Sequence, residues 1–163
     1  MTTKVETALN QQVEKECYSS QLYLSMAVWA ENKGFGGIAK WLYAQAEEER
    51  MHMLKFIHYI NERGGSAVIS EIKKPPFEFN NVKDLFKEVL KHEQFISKSI
   101  NDIVGICFEE KDFTTQSYIQ WFVNEQIEEE ASVRGINDKL SMLDNDNLYI
   151  FDRDIMQLRT PAA

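Results

Sequence analysis

The fold is decided by the segment at residues 64–81, GGSAVISEIKKPPFEFNN, which begins with a glycine pair and contains a proline pair. Such pairs are typical of a connection rather than a helix. An extended connection of about 18 residues reaches about 50–60 Å, whereas a helix of ~26 residues is about 39 Å long. The segment is therefore long enough to cross a helix bundle from end to end and to leave the helices on either side of it parallel.

Two shorter breaks, Gly34–Gly37 and Glu109–Thr114, divide the rest of the chain. Apolar residues recur at helical spacing in the four long segments that remain. Two tight turns and one long crossover between four amphipathic helices predict an all-α four-helix bundle; bundles with one long crossover include the ferritin-like folds. The predicted helices are about Lys4–Lys33, Gly37–Arg63, Val82–Lys111 and Thr115–Leu143. We expect one domain over 1–163, with the bundle at about 4–143 and a short fifth helix at about 147–158.

The composition excludes several classes of function. Hydrophobic residues make up 44% of the 163 residues, which is enough for a packed core. A net charge of −8 argues against a nucleic-acid partner. No apolar run approaches the length of a membrane span, and no signal peptide is visible. The two cysteines, Cys17 and Cys107, are too few for a disulfide framework, so we expect a cytoplasmic protein without a membrane partner.

An ionisable residue interrupts the apolar seam of each predicted helix near its middle. A lone buried carboxylate costs several kcal/mol unless it is paired, protonated or bound to a metal. Glu16 precedes Glu49 by 33 residues, and Glu93 precedes Gln126 by the same interval. In each hairpin the interrupting residues of the two helices lie at about equal distances along the chain from the turn, which places them at one height in the bundle. The interrupting residues are Glu16, Glu49 with His52, Glu93, and Glu129 with Gln126.

The charge of this layer indicates divalent cations, since four carboxylates carry −4 and two such cations carry +4. Oxygen ligands with one imidazole favour iron or manganese over a structural zinc. Tyr23, one heptad after Glu16, is either a core aromatic residue or a neighbour of the site. Carboxylates just off the seams form either a solvated face or a second, weaker metal site; they are Glu48, Glu125, Glu128 and Glu130.

Other residues off the seams are assigned to the surface. We expect His58 and His92 to be exposed. Four apolar side chains fit contacts between subunits: Leu22, Trp29, Trp41 and Tyr43.

Four stretches of the chain resemble the non-haem ferritins, especially those of the bacterial type. They are Glu16–Ser20 (ECYSS) with Tyr23, Glu48–His52 (EERMH), Lys91–Glu93 (KHE) and Trp121–Glu130 (WFVNEQIEEE). The resemblance implies an iron-storage protein that oxidises Fe²⁺ to Fe³⁺ with dioxygen or hydrogen peroxide. It also implies a hollow homo-oligomeric shell of 24 subunits, with the short terminal helix at the fourfold axes.

The resemblance further implies the roles of individual residues. Glu16, Glu49 and His52 would hold the first iron, and Glu49 would bridge to a second iron beside Gln126. The second iron would be held with Glu93 and Glu129, and Tyr23 matches a tyrosine near the centre. A third iron site would fall on Glu48, Glu125, Glu128 and Glu129.

The sequence departs from the related bacterioferritins in two places. Gln126-x-x-Glu129 stands where they repeat Glu-x-x-His, and Arg50 stands where they carry a haem-binding methionine. We therefore expect no haem. The alternatives are a di-iron oxidase or rubrerythrin-like peroxidase without storage, and a helical scaffold that binds no iron.

Overall fold

The computed structural model describes residues 1–144 and 147–159 and confirms the all-α four-helix bundle with a short C-terminal helix. Those residues contain no β-strand. A 3₁₀ turn, Ile155–Leu158, follows the last helix. The helices are α1 (Thr3–Asn32), α2 (Gly36–Glu62), α3 (Val82–Glu109), α4 (Phe113–Ser141) and α5 (Leu148–Asp154).

Local residues explain where the long helices begin and end. Asn81 and Asp112 accept hydrogen bonds from backbone N–H groups in the first turns of α3 and α4, which satisfies donors that a helix leaves free. Gly34 (φ 85°) and Gly64 (φ 75°) adopt the left-handed conformation just after α1 and α2, where glycine is favoured. The breaks predicted from glycine therefore fall at true helix ends.

The long connection runs along α1 and crosses the bundle from one end to the other. Near its start, Ser66 N donates to Glu6 Oε1 (2.9 Å) and Val68 N donates to Asn10 Oδ1 (2.8 Å). Near its end, the carbonyl of Pro76 accepts from Ser25 Oγ (2.7 Å). The connection thus moves from the first turns of α1 towards its C-terminal part, and α2 and α3 run parallel.

The core has two apolar parts with a polar layer between them. One part is formed by the end of α1, the start of α2, the start of α3 and the end of α4. The other is formed by the opposite ends of the same helices. Residues 14–21, 47–55, 90–95 and 123–132 belong to neither set of buried apolar residues, which leaves the middle of the bundle for charged groups.

Helix α5 packs against the start of α2. Phe151 is buried and meets the ring of Phe86 at a centroid distance of 6.3 Å, while Asp152 accepts a hydrogen bond from Ile38 N (2.8 Å). Gly37 makes this approach possible, because a Cβ there would overlap the backbone oxygen of Asp152. The side chain added by any other residue would force α5 away from the bundle.

Three apolar residues expected at subunit contacts are instead buried within the chain. Leu22, Trp29 and Trp41 belong to the core near α5. Trp41 packs edge-on against Phe86 at 5.5 Å, and only Tyr43 of the four is merely part-buried. That prediction was wrong for these three because the crossover and α5 cover faces that four helices alone would leave open. None of the described helices is long and apolar enough to cross a membrane.

Candidate metal centre

The polar layer is a group of buried side chains supplied by all four long helices. Each side chain that interrupts a seam in the sequence is at least nine-tenths buried. A helix in a bundle of this kind turns the same stripe inward along its whole length, so a charged residue on that stripe cannot reach water. The set comprises Glu16 on α1, Glu49 and His52 on α2, Glu93 on α3, and Gln126 and Glu129 on α4.

Two groups of ligand atoms meet at Glu49. One group offers an oxygen of Glu16, an oxygen of Glu49 and a nitrogen of His52, all within 4.8 Å of one another. The other offers oxygens of Glu49, Glu93 and Glu129 within the same distance. A carboxylate has two oxygens, so Glu49 can contribute to two adjacent positions.

Glu16 has one oxygen satisfied by the protein and one without a partner. Oε1 accepts from Gln12 Nε2 (2.8 Å), whereas Oε2 is buried with no hydrogen-bond partner among the described residues. Gln12 is itself held by Ser99, whose hydroxyl accepts from Lys15 Nζ (2.7 Å) and donates to Gln12 Oε1 (2.6 Å). This relay fixes Glu16 in position and leaves its second oxygen available to a cation.

Gln45, one turn before Glu49, joins the two sides of the layer. Its Nε2 donates to Glu49 Oε1 (3.2 Å) and to Glu129 Oε2 (2.9 Å). These bonds orient one carboxylate from α2 and one from α4. Gln45 lies on the seam of α2, but nothing in the sequence separates it from an ordinary buried amide.

Glu93 is held by two of the predicted site residues. Tyr23 donates its hydroxyl to Glu93 Oε1, and Gln126 Nε2 lies 3.1 Å from Glu93 Oε2. The amide nitrogen of Gln126 also lies 3.2 Å from Ser97 Oγ and from the carbonyl of Glu93. Tyr23 and Gln126 thus touch the centre through Glu93 and fix the direction of that carboxylate.

The imidazole of His52 is clamped between a carboxylate and aromatic rings. Nδ1 lies 3.2 Å from Glu49 Oε2, and the ring meets Trp121 and Phe122 edge-on at 5.5 Å and 6.0 Å. When Nδ1–H donates to Glu49, the lone pair is on Nε2, which points towards Glu125 at 4.0 Å. The histidine therefore lies between the centre and a second acidic group.

Burial raises the pKa of each carboxyl in the centre, and neighbouring carboxylates add to the effect for most of them. The pKa values of Glu16, Glu49 and Glu129 lie well above the ordinary value of 4.5, and that of Glu93 is also raised. Burial and the negative charge of Glu93 raise the pKa of Tyr23 well above 10.0. Carboxyls in this state either hold protons or need cations beside them.

The donor set fits iron. Hard carboxylate oxygens with one imidazole suit Fe²⁺, and the unpartnered Oε2 of Glu16 is an oxygen that no protein group satisfies. Two positions that share Glu49 place a pair of cations side by side. The arrangement therefore offers ligand atoms for two adjacent cations.

A second acidic group lies beside the centre. One oxygen each of Glu48, Glu125 and Glu129 and one nitrogen of His52 lie within 4.8 Å of one another. Glu128 lines the same cavity but is exposed. Arg159 closes the cavity by donating to Glu48, a contact the sequence did not indicate because 111 residues separate the two.

One histidine was misassigned. His58 is exposed as predicted, but His92 is largely buried, and its Nε2 lies 2.7 Å from Ser19 Oγ. Burial lowers the pKa of His92 to about 4. The ring is 5.8 Å from the rings of both Tyr18 and Tyr23, so the side chain packs behind the centre because α1 covers that face of α3.

Comparison with known proteins gives one consistent result. A model of the ferritin-like domain family matches residues 6–143. A Haemophilus influenzae protein named a "probable bacterial non-heme ferritin-like protein" is 42% identical over 99% of both chains. The bacterial non-heme ferritin of Campylobacter jejuni is 39% identical over 97% of this chain and 96% of its own. An open-pore ferritin from the archaeon Archaeoglobus fulgidus superposes with a TM-score of 0.94 at 37% identity, covering 98% of each chain.

Proposed function

The chain belongs to the ferritin family, and on that basis we propose that it is an iron-storage protein with ferroxidase activity. It would act as one ferritin-like di-iron domain over residues 1–163. The observation that carries the proposal is the pair of three-residue ligand groups that share Glu49 in a buried layer. A scaffold that binds no iron would have no cation to balance the charge of these buried carboxylates.

The substrate, Fe²⁺, would bind at two adjacent positions. Glu16, Glu49 and His52 would form the first, and Glu49, Glu93 and Glu129 the second. Gln126 and Tyr23 would orient Glu93, and Gln45 would orient the carboxylates of Glu49 and Glu129. Fixing the ligands in advance keeps the two ions close enough to lose electrons together.

The reaction is a two-electron oxidation of paired ions. Two Fe²⁺ ions each give up one electron to dioxygen, which takes up two protons and becomes hydrogen peroxide. With hydrogen peroxide as oxidant, the same two electrons and two protons give two molecules of water. Burial raises the pKa values of these carboxyls, so the binding of a cation would release any proton that they hold.

The product Fe³⁺ would move to a shared interior and be stored as a mineral. Relatives named as ferritins support this step, and we propose that the chain forms a homo-oligomeric shell of 24 subunits. Glu48, Glu125, Glu128 and Glu129 would form a third iron site on the path away from the centre. The acidity of the chain, with a net charge of −8, would help to gather cations.

The test of the active centre is the double variant Glu49→Ala plus His52→Ala. Stopped-flow mixing of Fe²⁺ with oxygen should show rapid oxidation for the wild type and the slow background rate for the variant. The matched control is Glu47→Ala plus His58→Ala, which removes the same two residue types from exposed positions of α2. Helical circular dichroism should be the same for all three proteins. Rapid oxidation by the double variant would show that the centre is wrongly assigned.

The test of storage is the size of the assembly. Electron microscopy and gel filtration should show hollow particles of 24 chains that retain iron after buffer exchange. A monomer or small oligomer that oxidises Fe²⁺ but retains none would identify a di-iron oxidase instead.

A further inference from the structure

We infer that Arg159 is a tethered cation that occupies the acidic group beside the iron centre and competes with a third Fe²⁺ ion for it. The inference rests on the proposed function, because it concerns the site beside the ferroxidase centre. Its basis is the contact between Arg159 and Glu48 of α2, in a cavity that carboxylates of α4 also line. The third ion would bind tightly only after the segment withdraws this side chain.

The guanidinium of Arg159 makes three contacts with α2. Nη2 donates to Glu48 Oε2, Nη1 donates to Gln45 Oε1 (3.1 Å), and the charge lies 5.7 Å from the centre of the Trp41 ring. The side chains of Arg159 and Glu48 are 17% and 12% exposed. A part-buried, charge-assisted pair of this kind is stronger than an exposed one.

Arg159 takes up space and ligand capacity that an ion would need. The cavity that it closes has a volume of about 20 Å³, room for one water-sized species. Glu48 is one of the carboxylates whose oxygens converge there, and its Oε2 is committed to the guanidinium. An incoming cation must share the negative charge of Glu48 with Arg159, and like charges at this range repel.

The position of Arg159 is set by how α5 and the 3₁₀ turn dock. Phe151 and Ile155 are buried against the bundle, and Asp152 accepts from Ile38 N. Only the rest of the 3₁₀ turn, residues 156–158, separates Ile155 from Arg159. Docking of the segment therefore delivers the guanidinium to the acidic group, and undocking removes it.

Gln45 connects this device to the iron centre. Its Oε1 accepts from Arg159, while its Nε2 donates to Glu49 and Glu129. Loss of Arg159 frees the amide of Gln45 and leaves the negative charge of Glu48 uncompensated beside Glu129. The third site and the second iron position therefore respond to the same side chain.

The test is an anaerobic calorimetric titration of the assembled protein with Fe²⁺. The wild type should bind two ions per chain tightly and a third weakly, and Arg159→Ala should tighten the third by about ten- to a hundredfold. Arg153→Ala is the matched control, because it removes an exposed arginine of the same segment that pairs with Asp154 instead. Adding Glu48→Gln to Arg159→Ala should abolish the gain.

Anomalous scattering from crystals of Arg159→Ala soaked in Fe²⁺ should place the third ion between Glu48, Glu125 and Glu129. An unchanged third affinity in Arg159→Ala, or an equal gain in Arg153→Ala, would overturn the inference while leaving the two-ion centre intact. Failure of the wild type to bind two ions would instead overturn the proposed function. The two failures are thus distinguished in one titration.

Discussion

Replacing Glu16 with glutamine should stabilise the metal-free protein and weaken its binding of cations. Glutamine has nearly the shape of glutamate, and its carbonyl can still accept from Gln12 Nε2, as Glu16 Oε1 does at 2.8 Å. The amide nitrogen would replace Oε2, the buried oxygen that has no partner. The substitution therefore removes a buried ionisable group without opening a cavity.

The expected magnitude follows from the proton that Glu16 holds. Burial, followed by the charge of Glu49, raises the pKa of Glu16 well above 4.5 in the folded protein. The unfolded chain releases that proton as the pH rises past 4.5, and each further pH unit costs the folded state about 1.4 kcal/mol. Over the roughly 2.5 pH units between 4.5 and 7 the cost is at most about 3.5 kcal/mol. Glutamine avoids this cost, so the gain should appear at pH 7 and vanish near pH 4.5.

The assay is guanidinium unfolding of the wild type and Glu16→Gln at both pH values with a chelator present. Glu14→Gln is the matched control, because Glu14 is an exposed neighbour on α1. Zn²⁺, which is redox-inert, should then stabilise the wild type more than Glu16→Gln, because the variant lacks one carboxylate ligand for the ion. An equal gain at both pH values, or a loss of stability at pH 7 in chelator, would refute the reasoning.

Three further predictions follow from other contacts. The thermal midpoint of the metal-free protein should fall as the pH rises above 4.5, because carboxyls with raised pKa values give stability that is present below 4.5 and lost at higher pH. Calorimetry with bound Zn²⁺ should show a flatter profile, and a rising midpoint would contradict the sign. Tyr23→Phe should lower the free energy of unfolding by about 1–3 kcal/mol, because Glu93 Oε1 loses its buried donor while Oε2 keeps Gln126. A double-mutant cycle with Glu93→Gln should show coupling. Gly37→Ala should displace α5 and tighten the binding of the third Fe²⁺ ion as Arg159→Ala does, because the added Cβ would overlap Asp152. In the control Gly36→Ala the added Cβ meets no atom within 4 Å, so neither tryptic cleavage of α5 nor iron binding should change.

The sequence alone determined the fold class and the residues that interrupt the core. Helix periodicity, glycine at helix ends and the length of residues 64–81 are properties of neighbouring residues, so they can be read without coordinates. The equal intervals from Glu16 to Glu49 and from Glu93 to Gln126 also predicted the polar layer. Each helix rises by a fixed distance per residue, so the number of residues from the turn fixes the height of a side chain in an antiparallel pair.

Only the tertiary structure decided which side chains hold those carboxylates. The relay from Lys15 through Ser99 and Gln12 joins α1 to α3 across 84 residues, and Arg159 reaches Glu48 across 111. Such contacts depend on how far each helix is rotated about its axis and on where the crossover and α5 dock. A pattern within one helix places a residue on a face, but the neighbour that covers that face comes from a distant part of the chain.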